Sequence, residues 1–316
     1  MNIVYNGEMD SRMFKDVLSK TIPQLIESDE KAVYLDADLM SCIGTTKWAK
    51  TCDRAINCGI AEANMIGVAC GMSAVGFKPI VHTFGAFASR RVYDQVFLSG
   101  AYAGNNIAII GTDAGATAAF NGGTHMPLED VALYRAIPGA TVVDITDANM
   151  LIDILTQFKD MPGVKYLRVG RKGAAKVYAD GTKFEIGKGN VLKDGKDVTI
   201  VACGCIMVNE ALKAAAELAK EGIDAAVIDM FTIKPLDVDL LKKYAESTGA
   251  IVTAENHNKI GGLYSATCEA LMGMNIKVGH VAVEDRFGEV GPQDYLQKQF
   301  GLTAEHLIEV VKETLK

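Results

Sequence analysis

The sequence predicts an α/β fold built from two parallel-sheet units in series. Three observations carry that reading. Short apolar runs alternate with longer segments of helical periodicity along the whole chain, the pattern that parallel strands joined by crossover helices produce. A stretch rich in Gly, Lys and Asp, residues 170–197, interrupts the alternation and carries the turn-forming pairs Asp180-Gly181 and Asp194-Gly195. With 316 residues, the chain can bury two separate cores. We therefore divide it into a first domain at residues 1–172, a linker at 173–194 and a smaller second domain at 195–316.

The elements follow in order. Residues 11–27 carry a helical pattern, and 32–35 read as a strand ending at Asp36-Ala37-Asp38-Leu39. Residues 57–69 read as the start of a helix of small and apolar residues, closed by Gly71 or Gly76. A strand at 79–83 runs into a loop at 84–87 and then a helix over 89–101. A strand at 106–111 precedes a Gly- and Ala-rich loop at 112–126. Pro127, in a first helical turn, opens a helix through 136, with Glu129 and Asp130 suited to its positive end. Strands at 141–143 and 165–169 flank a helix at 148–159. In the second domain, strands are expected at 198–202, 225–228, 250–253 and 277–283. Helices are expected at 208–221, 237–247 and 303–314, with Gly261-Gly262 opening one more.

Composition excludes some functions. A net charge of −7 and a pI near 5.3 argue against nucleic acid as a partner. No apolar stretch is long and uncharged enough to span a membrane. The polar start, with Glu8 and Asp10, reads as neither a secretory signal nor a transit peptide. Seven cysteines without paired spacing read as reduced thiols, so a cytoplasmic protein is expected. Cys203-Gly204-Cys205 lacks the second pair of a zinc site and reads as structural, and no metal-ligand set stands out.

In open parallel sheets, ligands bind beyond the carboxyl ends of the strands. Those ends carry Asp36 and Asp38, Phe84 and Phe87, the 112–126 loop, and Arg168 and Arg171. The loop closes with Asn121-Gly122-Gly123-Thr124-His125, just ahead of a helix N-terminus that could face an anion. His125 is either a structural hydrogen-bonder or a proton shuttle, and arginines there could clamp phosphate. Phe84 and Phe87 either cap a core or wall a flat heterocycle. Glu62 interrupts an apolar helix, and a glutamate is rarely buried without a partner. It either faces solvent at the helix start or faces a pocket. The loop is not a phosphate-binding P-loop, and no G-x-G-x-x-G follows a strand.

The motifs Gly59-Ile60-Ala61-Glu62-Ala63-Asn64-Met65, Thr83-Phe84-x-x-Phe87-Ala88, Gly122-Gly123-Thr124-His125 and Glu129-Asp130-Val131-Ala132-Leu133 with Arg135-Ala136-Ile137-Pro138 resemble transketolase. Glu255-Asn256-His257, Ile260-Gly261-Gly262-Leu263 and Asp285-Arg286-Phe287-Gly288 continue the likeness. The resemblance covers the chain but only the C-terminal half of a full-length transketolase. It implies a pyrimidine-binding domain for thiamine diphosphate followed by the transketolase C-terminal domain, as in one subunit of a split enzyme. By this resemblance, Glu62 bonds the aminopyrimidine N1′ and activates the cofactor. Phe84 and Phe87 wall the pyrimidine, and Asp38 and Leu39 lie near it. His125 contacts the sugar, and Arg12 and Arg168 hold its phosphate, with Arg171 a further candidate. Asn121 stands where the family has a hydroxyl-binding Asp.

The family's diphosphate and metal motif, Gly-Asp-Gly with a distant Asn, does not occur. The resemblance therefore implies a partner chain that holds diphosphate and Mg²⁺, in an assembly with two copies of each. Asn121, Asp113, Cys42 and Met126 depart from the usual pattern. The expected reaction is transfer of a two-carbon ketol unit between phosphorylated sugars, with a donor or acceptor of altered shape. Asp113 keeps open a deoxyxylulose-phosphate-synthase-like or 2-oxo-acid dehydrogenase β-like subunit. A non-catalytic structural or regulatory homologue is the third alternative.

Overall fold

The computed structural model describes residues 2–316, and their strands gather into two sheets. In chain order the strands are β1 (Ala32–Asp36), β2 (Ala55–Asn57), β3 (Lys78–Phe84), β4 (Ile107–Thr112), β5 (Thr141–Asp144) and β6 (Val164–Arg168). There follow β7 (Asn190–Lys193), β8 (Val198–Ala202), β9 (Ala225–Asp229), β10 (Thr232–Lys234), β11 (Ala250–Asn258) and β12 (Lys277–Val283). The first sheet has seven strands in the order β10-β5-β6-β4-β3-β1-β2, and the second has five in the order β12-β11-β8-β9-β7. All pairings are parallel except β10 with β5 and β7 with β9.

Parallel strands covered by helices on both faces are apolar throughout, and β1, β4, β5, β6, β8 and β9 are buried at every position. Successive residues supply opposite cores. Tyr34, Ile80 and Ile110 pack with Leu18 and Ile22 of the helix Phe14–Glu27, whereas Leu35, Val81 and Ile109 pack with Met65, Ile66 and Ala69. The latter three lie on the helix Glu62–Ala74, whose buried positions Glu62, Met65, Ile66, Ala69 and Cys70 form one helical stripe.

Several elements depart from expectation. β10 comes from the second domain yet completes the first sheet, so a strand crosses the division placed between the two units. β7 lies inside the stretch read as linker and belongs to the second sheet. The rest of that stretch folds back on the N-terminus through the bridges Ile3–Tyr178 and Met9–Ala175. Residues 84–87 are not a loop: a helix begins at Gly85 and runs Gly85–Ser89. The helix expected over 89–101 is a 3-10 turn, a short α segment and a π-helical stretch, Val96–Tyr102. Residues 112–126 contain a 3-10 helix, Gly115–Asn121, kinked at Ala119. Pro127 precedes the next helix, Asp130–Ala136, rather than opening it.

Candidate active site

The carboxyl ends of β1, β3, β4 and β6 converge on one side of the first sheet, and most of the expected residues meet there. Glu62 opens its helix three residues after Gly59, whose φ of +71° turns the chain ahead of it. The Glu62 side chain is buried to 3 % exposure and accepts a hydrogen bond from Arg91 Nη1 at 2.8 Å. Arg91 in turn lies over the Phe87 ring, 3.9 Å from its centroid. The Phe87 and His125 ring centroids are 5.0 Å apart, edge to face, and Phe84 stands 6.0 Å from His125 and 6.1 Å from Phe87. Glu62, Arg91, Phe87, His125 and Phe84 thus form one continuous array. His125 Nδ1 is engaged by the Thr124 hydroxyl at 2.8 Å.

Asp38 and Leu39 follow β1. Asp38 is exposed, has a positive φ of 64°, and accepts a hydrogen bond from Asn57 Nδ2 at 2.9 Å. Asn57 Oδ1 also accepts from Gly59 N, tying this turn to the start of the Glu62 helix. Beneath it, Asp36 is fully buried and accepts from Tyr34 Oη and Leu39 N, with His82 Nδ1 2.7 Å away. His82 Nε2 reaches Thr112 Oγ1 at 3.2 Å, a buried polar relay from β1 to the end of β4.

The second domain holds the His125 loop in place. Asn256 Oδ1 accepts from Ala116 N at 2.9 Å, and Asn256 Nδ2 donates to Ala114 O at 3.0 Å. Gly115 sits so close to Asn256 that a Cβ there would lie 2.4 Å from Asn256 Oδ1. Farther along, Gly123 packs on the backbone of Gly288. Asn121 is half-buried at the end of the 3-10 helix, two residues beyond the Ala119 kink. The Glu255-Asn256-His257 motif is therefore a clasp between domains. Burial pushes Glu255 up to about 7 and His257 down to about 4.

Two expected substrate arginines are engaged by other partners in this structure. Arg168 is 1 % exposed, and its guanidinium donates to Asp130 at 2.8 Å, Asp144 at 3.0 Å, Pro127 O at 3.2 Å and Asn256 O at 2.7 Å. It has no face left for a substrate. Burial alone would lower its pKa, but Asp130 and Asp144 more than offset this and raise it. Arg12 lies in a separate hollow with Asp10, Asp180 and Lys176, bonded to Asp10 at 2.7 Å and Asn149 at 3.0 Å. Neither reaches the Phe84 cluster.

Arg171 does. It lines a cavity of about 90 Å³ with Lys15, Cys42, Phe84, Thr112 and Asp113. Arg171 Nε is 3.2 Å from Asp113 Oδ1, while Asp113 Oδ2 is buried without a partner. An acceptor left so costs about 1–3 kcal/mol. Lys15 and Arg91 escaped the sequence reading. Lys15 and Leu18, both lining the cavity, are one turn apart on the first helix, a spacing that could have flagged Lys15.

The residues present fit the pyrimidine end of thiamine diphosphate. A buried carboxylate with one oxygen held by Arg91 and two tilted phenylalanine rings suit a flat, basic heterocycle. Among the described residues, no three His, Cys, Asp or Glu side chains gather as a metal ion would need, and no helix is long and apolar enough to cross a membrane.

Residues 10–173 match the transketolase pyrimidine-binding domain family, and residues 187–307 match the transketolase C-terminal domain family. The chain is 45 % identical over 316 residues to the 6-deoxy-6-sulfo-D-fructose transketolase subunit SqwH of Clostridium sp. (strain MSTE9), covering 99 % of this chain and 98 % of that one. It is 37 % identical to a putative transketolase C-terminal section of Methanocaldococcus jannaschii, with 94 % of each covered. A solved structure described as a split gene transketolase, inactive beta4 tetramer, superposes with a TM-score of 0.87 at 40 % identity, over 97 % of this chain and 99 % of that chain.

Proposed function

Because this chain belongs to the transketolase family, we propose that it is the pyrimidine-binding, catalytic half of a two-chain transketolase that moves a two-carbon ketol unit between anionic sugars. The observation that carries this reading is the clamp on Glu62: a buried carboxylate fixed by Arg91, which itself rests on Phe87. When bound, thiamine diphosphate supplies the carbon nucleophile for ketol transfer.

This chain's residues do the rest. Arg91 fixes one Glu62 oxygen, leaving the other to hold a proton shared with the pyrimidine N1′ in a low-dielectric setting that strengthens the bond. Phe84 and Phe87 orient the ring, and Asp38 and Leu39 border it. His125, pinned by Thr124 at Nδ1, presents Nε2 to a substrate hydroxyl or carbonyl, and Asn121 lies on the same loop. Arg171 faces the anionic end of the sugar. Diphosphate and Mg²⁺ fall to an N-terminal partner chain, in a cytoplasmic assembly with two copies of each. Support for a partner comes from apolar side chains around the His125 loop: Phe120 is 70 % exposed and Phe287 94 %. The similar split-gene structure, described as inactive, holds β chains alone. The 45 % identical relative makes a ketose with an anionic C6 tail the donor to test first.

The test is Glu62→Gln in the co-expressed pair. Turnover falls at least ~100-fold, within the range for losing a proton-handling group, while gel filtration shows the assembly intact. Wild-type turnover in this variant would end the reading. Decarboxylation of pyruvate by the wild-type pair, with no ketol transfer, would instead favour the synthase-like alternative that Asp113 raises.

A further inference from the structure

The loop that presents His125 carries a strained residue. At Ala119 the backbone adopts φ +49° and ψ −121°, a combination that glycine reaches freely and alanine only under constraint. Ala119 O accepts from Gly122 N at 3.1 Å, and Gly122 O accepts from His125 N at 3.0 Å, so the kink is passed along the backbone to the histidine. A residue strained in this way persists where its surroundings over-determine it.

Much of that constraint comes from the second domain. Ahead of the kink, the buried Asn256 amide spans Gly115, accepting from Ala116 N at 2.9 Å and donating to Ala114 O at 3.0 Å, as the backbone of a neighbouring strand would. Beyond the kink, a Cβ on Gly122 would lie 2.6 Å from Val290 Cγ2, and one on Gly123 would lie 2.4 Å from Gly288 O. The second domain therefore presses on the loop at both ends. Hydrogen bonds from the first domain to the same stretch are longer: Ala114 N to Val169 O at 3.2 Å, Arg90 Nη2 to Thr124 O at 3.2 Å, and Arg171 Nη1 to Ala118 O at 3.5 Å.

We propose that Asn256 is a positioning residue: with the Gly288–Val290 segment it holds the loop against the Ala119 kink, so that the second domain sets where His125 stands against Phe87. For what His125 does there, the inference rests on the ketol-transfer reading above. The arrangement divides the site in two. Asn256 bonds to Ala114, Ala116 and Arg168, whereas Glu62, Arg91 and Phe87 are held together within the first domain. Releasing the clamp lets the kink relax and carries His125 away from Phe87, while the pyrimidine side keeps its geometry. A glycine at position 119 removes the reason to relax, so the loop then keeps its shape without the clamp.

The test is a double-mutant cycle in the two-chain complex, with Asn256→Ala, Ala119→Gly and the pair. Three readouts are taken: kcat/KM for ketol transfer, thiamine diphosphate affinity by calorimetry, and the His125 ring resonance, assigned through His125→Asn. Asn256→Ala lowers kcat/KM at least tenfold and shifts the His125 resonance, with cofactor affinity within about threefold of wild type. Ala119→Gly alone stays within about threefold in kcat/KM, and in the double variant it restores kcat/KM to within about threefold and returns the resonance to its wild-type position. An assembled Asn256→Ala complex with wild-type kcat/KM overturns the proposal. So does a double variant as slow as Asn256→Ala, or a loss of cofactor affinity that matches the loss of kcat/KM. Should Asn256→Ala fail to assemble, Gly288→Ala takes its place in the cycle, since a Cβ there would lie 3.0 Å from Gly123 Cα; the same outcomes decide. A wild-type complex without ketol transfer refutes the reading of the reaction but leaves the clamp to the resonance: unmoved in Asn256→Ala, it overturns the proposal, and moved and then restored by Ala119→Gly, it upholds the clamp.

Discussion

Replacing Arg168 with Met separates a structural arginine from a substrate-binding one. The variant loses hydrogen bonds to Asp130, Asp144, Pro127 O and Asn256 O, and it leaves Asp130 and Asp144 almost wholly buried. Removing one partner of a buried ion pair costs about 3–5 kcal/mol, because the other charge stays behind. Two things soften the loss here. Tyr166 still donates to Asp130 at 2.8 Å, and burial already raises the Asp144 carboxyl, so a proton can neutralise it. The lower end, about 3 kcal/mol, is the appropriate figure. At ~2–4 °C per kcal/mol this is a fall in Tm of roughly 6–12 °C. Asp144, raised by burial and freed of Arg168, binds a proton in the folded state that the unfolded chain releases, so stability is lost as pH rises. Thermal unfolding by circular dichroism should show a larger deficit at pH 8 than at pH 6. A Tm within 2 °C of wild type together with a raised KM would return Arg168 to the substrate site and refute the reasoning.

Two further outcomes follow from the same geometry. Arg91→Ala frees Glu62 from its clamp; with Arg91 46 % exposed, the stability cost is about 1 kcal/mol or less, whereas kcat/KM of the complex falls more than tenfold. Undiminished kcat/KM would mean Glu62 needs no clamp. Asp229 is fully buried and accepts from Tyr178 Oη at 2.6 Å and Thr146 Oγ1 at 2.7 Å, with Oδ1 unpartnered. Burial pushes it up to about 7. The folded state therefore keeps a proton that the unfolded chain releases above about 4, and stability declines as pH rises between these values. Asp229→Asn keeps both accepted hydrogen bonds and should flatten the decline in Tm from pH 5 to pH 8; a slope like that of wild type would count against the assignment.

The alternating pattern made both sheets legible, because buried parallel strands must be apolar whatever surrounds them. β10 was not legible. Its three residues, Thr232–Lys234, carry too little pattern, and its partner β5 lies about ninety residues earlier. Glu62, Phe84, Phe87 and His125 stood out as chemistry-bearing residues in small or glycine-rich stretches, and the fold gathers them. Arg91 and Lys15 did not stand out, since an arginine or lysine on an amphipathic segment reads as solvated surface. Their partners, Glu62 and the cavity behind Phe84, are supplied by other elements.

Arg168 and Arg171 show where local sequence stops being informative. They are three residues apart at the end of one strand and look equally available to a ligand. What separates them is carried by other segments. Asp130, Asp144 and the Asn256 carbonyl close around Arg168, whereas Asp113 meets Arg171 with one oxygen and leaves its remaining donors at the cavity. Asn256 belongs to the second domain, so whether Arg168 is neutralised is decided across the domain boundary. The same asparagine holds Ala114 and Ala116, which flank the turn leading from Asp113 into the His125 loop. The second domain therefore acts on the site without reaching into it: it consumes one arginine as a structural anchor and fixes the loop that carries Asp113. By that arrangement Arg168 is held inside the fold, whereas Arg171 keeps donors free at the cavity.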